Sequence, residues 1–343
     1  MSGAGGRPAW TEAPRAATEH GAAAGGRPGT KAARGANHEA VSGVSVAAAP
    51  GRTADRADEA VPGQVLRMLI SCPDRPGIVS AVSRFLFESG ANILRSAQYA
   101  TQAAGGTFFL RVEFALPPDR RDGFAERFGL AVAEPFGMVW RLWDAASPKR
   151  VAVLVSRHDH CLQDLLWRWR RRDLDAEIVL VASNWADMCG AVESAGLPYH
   201  HIPVPKGGKP EAEARLLELL QGRCDLVVLA RYMQILSAEF IDRVGVPIIN
   251  IHHSFLPAFS GAGPYEQAKE RGVKLIGATA HYVTPELDAG PIIEQDVLRV
   301  THEHTVPQLT RLGAEIERTV LARAVQWHCE DRVVRHGNTT VVF

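Results

Sequence analysis

Residues 151–156 read Val-Ala-Val-Leu-Val-Ser, a nearly continuous apolar run. Such a run is typical of a strand buried on both faces of a parallel sheet, because an exposed face would introduce alternating polar residues. Helical and strand patterns alternate after it, which favours a parallel sheet with right-handed crossovers. The predicted strands are 177–182, 199–203, 225–229, 246–251, 275–283 and 291–297, the predicted helices are 161–172, 186–195, 210–220 and 306–328, and a hairpin turn is predicted at Gly337-Asn338.

The region before this run has a different order of elements. A strand at 65–70 leads through the turn signal Pro73-Asp74-Arg75-Pro76-Gly77 into a helix at 77–89. The further predictions are strands starting at 91 and spanning 106–114, a helix near 119–130 and a strand near 136–143. This β-α-β-β-α-β order predicts a ferredoxin-like domain over 63–147, followed by a second α/β domain over 148–343.

Residues 1–62 contain no Leu, Ile, Phe or Tyr. A segment of this kind buries too little apolar surface to offset the entropy lost on ordering, so we expect it to be disordered. An organellar targeting peptide is the alternative. However, segment 1–62 contains more acidic residues than such targeting peptides usually do. They include Glu12, Glu19, Glu39, Asp55 and Asp58.

The bulk composition excludes several classes of protein. The 343 residues include 38 basic and 38 acidic side chains, and this balance argues against binding to nucleic acid or to a membrane surface. No apolar run is long enough to span a membrane. The five cysteines are scattered and form no Cys-x-x-Cys pair, which indicates free thiols in a reducing cytoplasm.

The loop after the first strand of the second domain carries His158, Asp159, His160 and Cys161 but no glycine. Phosphate cradles need glycines for close backbone approach, so the loop argues against dinucleotide or ATP binding. A metal site is one hypothesis for these imidazoles and the thiol, and a polar loop lining the cleft is the other. We expect neither a resident cofactor nor a metal.

Two polar segments carry the chemistry. Asn250 and His252 lie two residues apart near the end of a predicted strand and therefore project to the same side. A second polar segment over 281–291 contains Asp288. Amide hydrolysis needs activated water, a stabilised oxyanion and a proton for the leaving nitrogen, and these three side chains can supply all of them. Singly they are explained by a cap, a core histidine and a turn, but together they favour a hydrolytic site.

The N-terminal segments 72–79 and 90–93, Cys-Pro-Asp-Arg-Pro-Gly-Ile-Val and Gly-Ala-Asn-Ile, resemble the ACT family. The resemblance implies a small domain that pairs with another copy and binds an amino-acid effector, so a homo-oligomer is expected. The effector residues that it implies are Asp74, Arg75, Gly77 and Asn92. The alternative is that they only form the turn into the helix.

The second domain resembles the folate-dependent formyltransferase fold, a Rossmann-like domain with a mostly parallel sheet. The resemblance rests on Asn-Ile-His before Ser-x-Leu-Pro and on His-x-Val-x-x-x-x-Asp-x-Gly. It implies Asn250, His252 and Asp288 as catalytic residues acting on the formyl group of 10-formyltetrahydrofolate. The substrate-binding residues that it implies are Arg231, Tyr232, Met233, Gln234, Ile235, Leu236, His253, His281, Val283, Glu286, Leu287 and Gly290.

The two modules in this order resemble the formyltetrahydrofolate deformylases. This implies hydrolysis to tetrahydrofolate and formate, which balances one-carbon folate pools and supplies formate for purine biosynthesis. The alternatives are a glycinamide ribonucleotide formyltransferase, which the glycine-free first loop disfavours, and a non-catalytic amino-acid sensor. Glu266, Lys269 and Ala280 depart from the family pattern, which puts local packing in doubt.

Overall fold

The computed structural model describes residues 63–102, 105–257 and 263–343. The segment 1–62, predicted to be disordered, lies outside these ranges. Two sheets and a C-terminal hairpin organise the described residues. No helix within them is long and apolar enough to cross a membrane.

The N-terminal sheet has four antiparallel strands in the order β2-β3-β1-β4, which confirms the predicted ferredoxin-like arrangement. Its elements are β1 (Gln64–Pro73), α1 (Ile78–Glu88), β2 (Asn92–Ala100), β3 (Thr107–Leu116), α2 (Phe124–Phe128), α3 (Glu134–Phe136) and β4 (Val139–Asp144). Helix α1 starts after Gly77, whose φ of 96° is readily adopted only by glycine. Its residues Ile78, Val82 and Leu86 are buried against the sheet at a spacing of four. Each contributes roughly 1.5–3 kcal/mol by burial.

The prediction of one helix near 119–130 is wrong. The chain instead forms a 3₁₀ turn at Pro118–Arg120, then α2, a π-helical turn at Gly129–Ala133, and α3. Gly123 has a φ of 66°, which separates the first turn from α2. Phe124, Phe128 and Val132 are nevertheless buried on one side. The apolar spacing therefore reported the buried face correctly while the backbone hydrogen bonding changed along it.

The second sheet has seven strands in the order β11-β10-β9-β8-β5-β6-β7. Its strands are β5 (Lys149–Val155), β6 (Ala176–Ser183), β7 (Tyr199–His201), β8 (Leu226–Ala230), β9 (Ile248–His252), β10 (Leu275–Tyr282) and β11 (Ile292–Arg299). Strands β5 to β9 pair in parallel, and β10 and β11 are antiparallel to their neighbours. The predicted mostly parallel α/β sheet is therefore confirmed. Because parallel strands end at the same edge, β5, β8 and β9 bring their following loops together.

Helices cover both faces of this sheet and pack into two separate hydrophobic clusters. They are α4 (His160–Arg170), α5 (Cys189–Glu193), α6 (Lys209–Leu220), α7 (Ala238–Val244), α8 (Pro264–Glu270) and α9 (Val306–Cys329), and a hairpin of β12 (Val333–His336) and β13 (Thr339–Val342) ends the chain. Helix α5 is shorter than predicted, and α7 and α8 were not predicted at all. The cap of α7 was a usable signal, since Ser237 Oγ accepts a hydrogen bond from Phe240 N at 3.1 Å.

Helix α9 has the clearest start signal in this part of the chain. The Gln308 side chain accepts a hydrogen bond from Thr305 N at 2.8 Å, as part of a capping box. The helix packs along β9, β10 and α4. Its buried face is mostly apolar but includes Gly313 and Glu317. This docking carries Glu317 toward the edge of the sheet where the polar segments lie.

A charged junction joins the two sheets at Asp331, just after α9. The Asp331 carboxylate pairs with Lys149, and Arg67 Nη1 lies 3.9 Å from it. Arg111 donates from Nε to Asp331 O at 3.0 Å and from Nη2 to Glu330 O at 2.9 Å. Two strands of the N-terminal sheet and the first strand of the second sheet therefore meet at Asp331, through its carboxylate and its backbone oxygen.

Candidate active site at the carboxyl ends of the parallel strands

Asn250 and His252 lie at the end of β9, as the strand periodicity predicted. His252 is buried, and its Nε2 atom has no hydrogen-bond partner among the described residues. A buried ring nitrogen without a partner costs free energy unless a ligand satisfies it. The His252 imidazole is therefore the natural contact for a substrate entering this edge of the sheet.

Asp288 lies in the loop between β10 and β11 and faces both histidines of the site. Its Oδ2 atom is 3.3 Å from His252 Nδ1, and its Oδ1 atom is 3.6 Å from His281 Nε2. Its φ of 53° is one of four left-handed values at non-glycine residues in the described part of the chain. Asp adopts this conformation at lower cost than branched residues do. The three predicted catalytic side chains are thus brought together.

The pKa of Asp288 lies well below its usual range. Hydrogen bonds from His252 and then from His281 lower it, and burial opposes them without prevailing. Asp288 is consequently a carboxylate at neutral pH. It can hold a proton on His252 Nδ1, which leaves His252 Nε2 directed away from the carboxylate.

His281 connects Asn250 to the same carboxylate. Its Nδ1 atom lies 3.0 Å from Tyr282 O and can donate to it. Its Nε2 atom lies 3.3 Å from Asn250 Nδ2 and 3.6 Å from Asp288 Oδ1. The Asn250 amide therefore lies beside the carboxylate, and an N–H of this amide can donate to a substrate oxygen.

The two segments that hold most of the predicted substrate-binding residues, 231–236 and 283–290, approach each other beside the catalytic residues. The backbone N–H of Val283 donates to Ile248 O at 2.8 Å, and the Val283 side chain packs against the cluster that contains Tyr232 and Leu236. Three large apolar side chains in these segments are exposed: Met233, Ile235 and Leu287. Exposed apolar groups around a polar cleft are typical of a ligand-binding groove.

The remaining predicted residues of these segments have distinct surroundings. Gln234 is half-buried and Glu286 is exposed. Gly290 is required sterically, since a Cβ there would lie 1.8 Å from Tyr282 O. Arg231 turns inward, where its Nε atom lies 3.4 Å from Glu317 Oε2.

Sequence reasoning missed a second buried polar group, here called the Glu317 cluster, which consists of Glu317, His160, Tyr265 and Arg231. Glu317 Oε2 is 2.8 Å from His160 Nε2, and Glu317 Oε1 accepts a hydrogen bond from Tyr265 Oη at 2.8 Å. Burial opposes ionisation of Glu317, but His160 and Arg231 bring its pKa below the usual value. The available signal was a glutamate on the otherwise apolar face of the last helix.

His253 lies between the catalytic residues and this cluster. Its ring centroid is 5.1 Å from that of His252 and 6.3 Å from that of Tyr265. Burial, the charge of Arg231 and the proximity of His252 lower the pKa of His253 to about 4. His253 is therefore neutral at physiological pH and can accept a hydrogen bond.

The loop after β5 borders the same region. Ser156 Oγ accepts a hydrogen bond from Met233 N at 3.0 Å and donates to Asn184 Oδ1 at 2.6 Å, which ties three loops together. Burial and the charge of Arg231 lower the pKa of His158. The hypothesis of a polar loop lining the cleft fits this position.

His160, Cys161 and Glu317 place one ligand atom each within 4.8 Å of one another. The carboxylate of Glu317 already has hydrogen bonds with His160 and Tyr265 and forms an ion pair with the Arg231 guanidinium. Burial raises the pKa of Cys161 well above the usual value, so the thiolate needed by a metal is disfavoured. The residues at this point fit a hydrogen-bonded network better than a cation site.

The predicted effector residues lie around the start of α1 and of β2. Arg75 donates to Pro135 O and stacks over the Phe136 ring at 4.3 Å. Asn92 is exposed, and Asp74 donates its backbone N–H to Gly106 O at 2.8 Å. Gly77 caps α1. Effector binding at these residues stays a prediction.

The residues that depart from the family pattern have local roles in packing. Lys269 donates to His302 O at 2.6 Å and to His304 O at 2.8 Å, which fastens α8 to the loop before α9. Glu266 lies in the first turn of α8, and Ala280 is fully buried in β10.

Comparison with known proteins agrees along both domains. The family described as Formyl transferase matches residues 149–325, and the ACT domain family matches residues 66–120. A formyltetrahydrofolate deformylase of Mycobacterium tuberculosis (strain ATCC 25618 / H37Rv) is 57% identical over 279 residues, which cover 81% of this chain and 90% of that protein. Both resemblances drawn from the sequence are confirmed.

Solved structures separate two groups of relatives. The crystal structure of a formyltetrahydrofolate deformylase from Pseudomonas syringae pv. tomato str. DC3000 aligns with a TM-score of 0.79 at 48% identity, covering 83% of this chain and 96% of that one. The crystal structure of glycinamide ribonucleotide transformylase 1 from Symbiobacterium toebii aligns with a TM-score of 0.54 at 32% identity, covering 57% of this chain and 94% of that one. Only the first covers both domains, and the chain belongs to the formyltetrahydrofolate deformylase family.

Proposed function

We propose that this chain hydrolyses 10-formyltetrahydrofolate to tetrahydrofolate and formate. The observation that carries the proposal is the convergence of Asn250, His252 and Asp288 at one edge of the sheet, where His252 Nε2 is buried and makes no hydrogen bond to any described residue. The family membership supplies the substrate class. In the cell this reaction balances free and formylated folate and provides formate for purine biosynthesis.

Asn250 and His252 bind the formyl oxygen in this mechanism. An N–H of the Asn250 amide donates a hydrogen bond to the formyl oxygen. His252 Nε2, once it is protonated, donates a second hydrogen bond as negative charge develops on that oxygen. Asp288 stabilises the imidazolium through His252 Nδ1, at 3.3 Å. Loss of one such oxyanion donor typically reduces the rate by about 10²–10³.

Water is the nucleophile. Its oxygen bonds to the formyl carbon while its proton passes to His252 Nε2, and Asp288 stabilises the imidazolium that forms. The carbon–N10 bond then breaks, and His252 Nε2 returns the proton to N10. The formic acid formed ionises to formate. No covalent enzyme intermediate is needed, because water itself attacks the formyl carbon. The carboxylate and the imidazole only assist the transfer of its proton.

The pterin is seated by the two segments that carry the exposed side chains Met233, Ile235 and Leu287. Their apolar groups can cover an aromatic ring, and the polar backbone of the loops can bind its edge. The N-terminal domain is proposed to bind an amino-acid effector. Its edge strand β2 is exposed along its length, with Ile93 and Tyr99 outward, which suits pairing with a second copy. Five free cysteines suit a reducing cytoplasm.

The deciding experiment is formate release from 10-formyltetrahydrofolate without any acceptor, comparing the wild type with Asp288→Asn. Release by the wild type that is lost in the variant supports hydrolysis through Asp288. Release that appears only after glycinamide ribonucleotide is added would identify a transferase and contradict the proposal.

A further inference from the structure

The Glu317 cluster is built at a cost in local stability. Arg231 has a φ of 62°, a conformation that disfavours residues with a Cβ by about 1–2 kcal/mol. Gly313, one turn before Glu317 on α9, is a glycine inside a helix, which costs about 1 kcal/mol relative to alanine. A Cβ at Gly313 would lie 1.8 Å from Tyr265 Oη. Both features preserve the geometry in which Tyr265 and Arg231 reach the carboxylate.

Stability alone does not account for such a group. A buried ion pair is often no more stabilising than apolar residues of the same volume. Arg231 Nε is buried and, within the described residues, makes no hydrogen bond, although it lies 3.4 Å from Glu317 Oε2. The Glu317 cluster therefore lacks a hydrogen bond at Arg231 Nε and includes an unfavourable backbone conformation, and these costs accompany one particular arrangement of its side chains.

The Glu317 cluster lies between His252 and the first loop of the domain, which follows β5. Arg231 follows β8, which lies between β9 with His252 and β5 with the loop that leads to His160. His253 separates the Tyr265 ring from the His252 ring, at 6.3 Å and 5.1 Å. The cluster therefore fills the part of the sheet edge between the catalytic residues and the first loop of the domain, where a second reactant could approach the formyl group.

We infer that the Glu317 cluster is the acceptor wall of the active site: Glu317 positions Arg231 and Tyr265 so that they exclude nucleophiles larger than water. The inference rests on the proposed function and deepens it, since it assigns the residues that commit the enzyme to hydrolysis. Glu317 is a positioning residue and acts through its two neighbours.

An opened wall admits an amine in place of water. A bond then forms between the formyl carbon and the acceptor nitrogen, the carbon–N10 bond breaks, and the proton lost by the acceptor passes to N10. The products are the formylated acceptor and tetrahydrofolate. Hydroxylamine is a suitable small acceptor, because its product formohydroxamate is distinguishable from formate.

The test measures the ratio of formohydroxamate to formate at a fixed hydroxylamine concentration, corrected for the reaction without enzyme. The main variant is Arg231→Gly combined with Glu317→Gln. Glycine suits the left-handed backbone, and glutamine avoids leaving a buried carboxylate unpaired. We expect the ratio to rise about 10-fold or more, the range that a change in pocket size produces. Both products arise in one tube, so the ratio does not depend on the folded fraction.

Arg243→Ala is the matched control, because Arg243 pairs with Glu239 on the exposed side of α7. Its ratio should equal that of the wild type. Glu317→Gln alone provides the same test if the double variant does not fold. The inference would be overturned if the double variant gave the same ratio of formohydroxamate to formate as the wild type. The same outcome for Glu317→Gln would overturn it if the double variant does not fold. Neither outcome would contradict hydrolysis. Absence of tetrahydrofolate release by the wild type would contradict the proposed function itself.

Discussion

Asp288 and Asp331 are two aspartates with nearly the same backbone conformation and opposite electrostatic behaviour. Their φ values are 53° and 55°, and each carboxylate faces several basic groups. The side chain of Asp288 is 16% exposed and that of Asp331 is 3% exposed. Hydrogen bonds from His252 and His281 lower the pKa of Asp288, whereas burial raises that of Asp331 despite Lys149.

The difference teaches how a buried charge is used. Asp331 is enclosed between the two sheets and is surrounded by groups that belong to the fold, including Lys149, Arg67 and Arg111. Asp288 shares the edge of the sheet with His252, whose Nε2 atom has no hydrogen-bond partner in the part of the chain that the structure describes. One carboxylate therefore joins domains, and the other is arranged for an incoming molecule. The predictions below test that division.

The largest expected effect is on turnover in Asp288→Asn. The amide cannot hold the charge that stabilises a protonated His252, so kcat should fall by about 10³-fold or more. The melting temperature should fall moderately, because the lowered pKa of Asp288 means that its carboxylate favours the folded state, although Asn also accepts the left-handed backbone. Steady-state kinetics and thermal unfolding of the same preparation check both statements. A kcat close to that of the wild type would remove the contrast.

The next effect is the loss of an oxyanion donor in His252→Ala. We expect kcat to fall about 10²–10³-fold with the fold retained. Asn250 remains to bind the formyl oxygen, so the loss should be smaller than in Asp288→Asn. Circular dichroism verifies the fold. Near-normal turnover would show that His252 is not in contact with the reacting group.

Asp331→Asn should leave kcat unchanged, because Asp331 lies at the junction of the sheets. Lys149 and Arg67 lose their shared counter-charge, but the raised pKa of Asp331 means that its charged form is disfavoured in the folded state. The two effects oppose each other, so the free energy of unfolding at neutral pH should change by about 1 kcal/mol or less. Urea unfolding and steady-state kinetics measure both quantities. A reduced kcat would place Asp331 in the catalytic machinery and contradict the division.

The smallest expected effect is on the pH dependence of the free energy of unfolding, which should have opposite signs for the two aspartates. The lowered pKa of Asp288 stabilises the folded state at pH values above the pKa of this carboxyl in the unfolded chain, so the stabilisation is lost as the pH falls below about 4. The raised pKa of Asp331 means that folding binds a proton there, so its contribution grows on acidification. Each slope is at most about 1.4 kcal/mol per pH unit.

Unfolding free energies from pH 6 to 3.5 separate the two contributions. As the pH falls, the difference between the wild type and Asp288→Asn should shrink, and the difference between the wild type and Asp331→Asn should move the other way. If the two stability differences changed in the same direction with pH, the depth of burial would not decide the direction of the pKa shifts of these carboxylates.

Local pattern predicted much of the fold. The buried run at 151–156 and the strand periodicity at Asn250 and His252 are short-range signals, and the structure confirms both elements. The helix near 119–130 failed for a local reason, since the conformation of Gly123 divides it. Helices α7 and α8, seven residues each, were too short to show a clear apolar period.

The sequence by itself determined which residues are chemically capable: a carboxamide and an imidazole two positions apart on a strand, and an aspartate in a polar loop. Only the tertiary structure decided that Asp288 reaches both His252 and His281, and that Glu317 meets His160 across 157 residues and Tyr265 across 52. Periodicity fixes the face on which a side chain lies. Its partner depends on strand order and on the docking of α9, which arise from packing between distant segments.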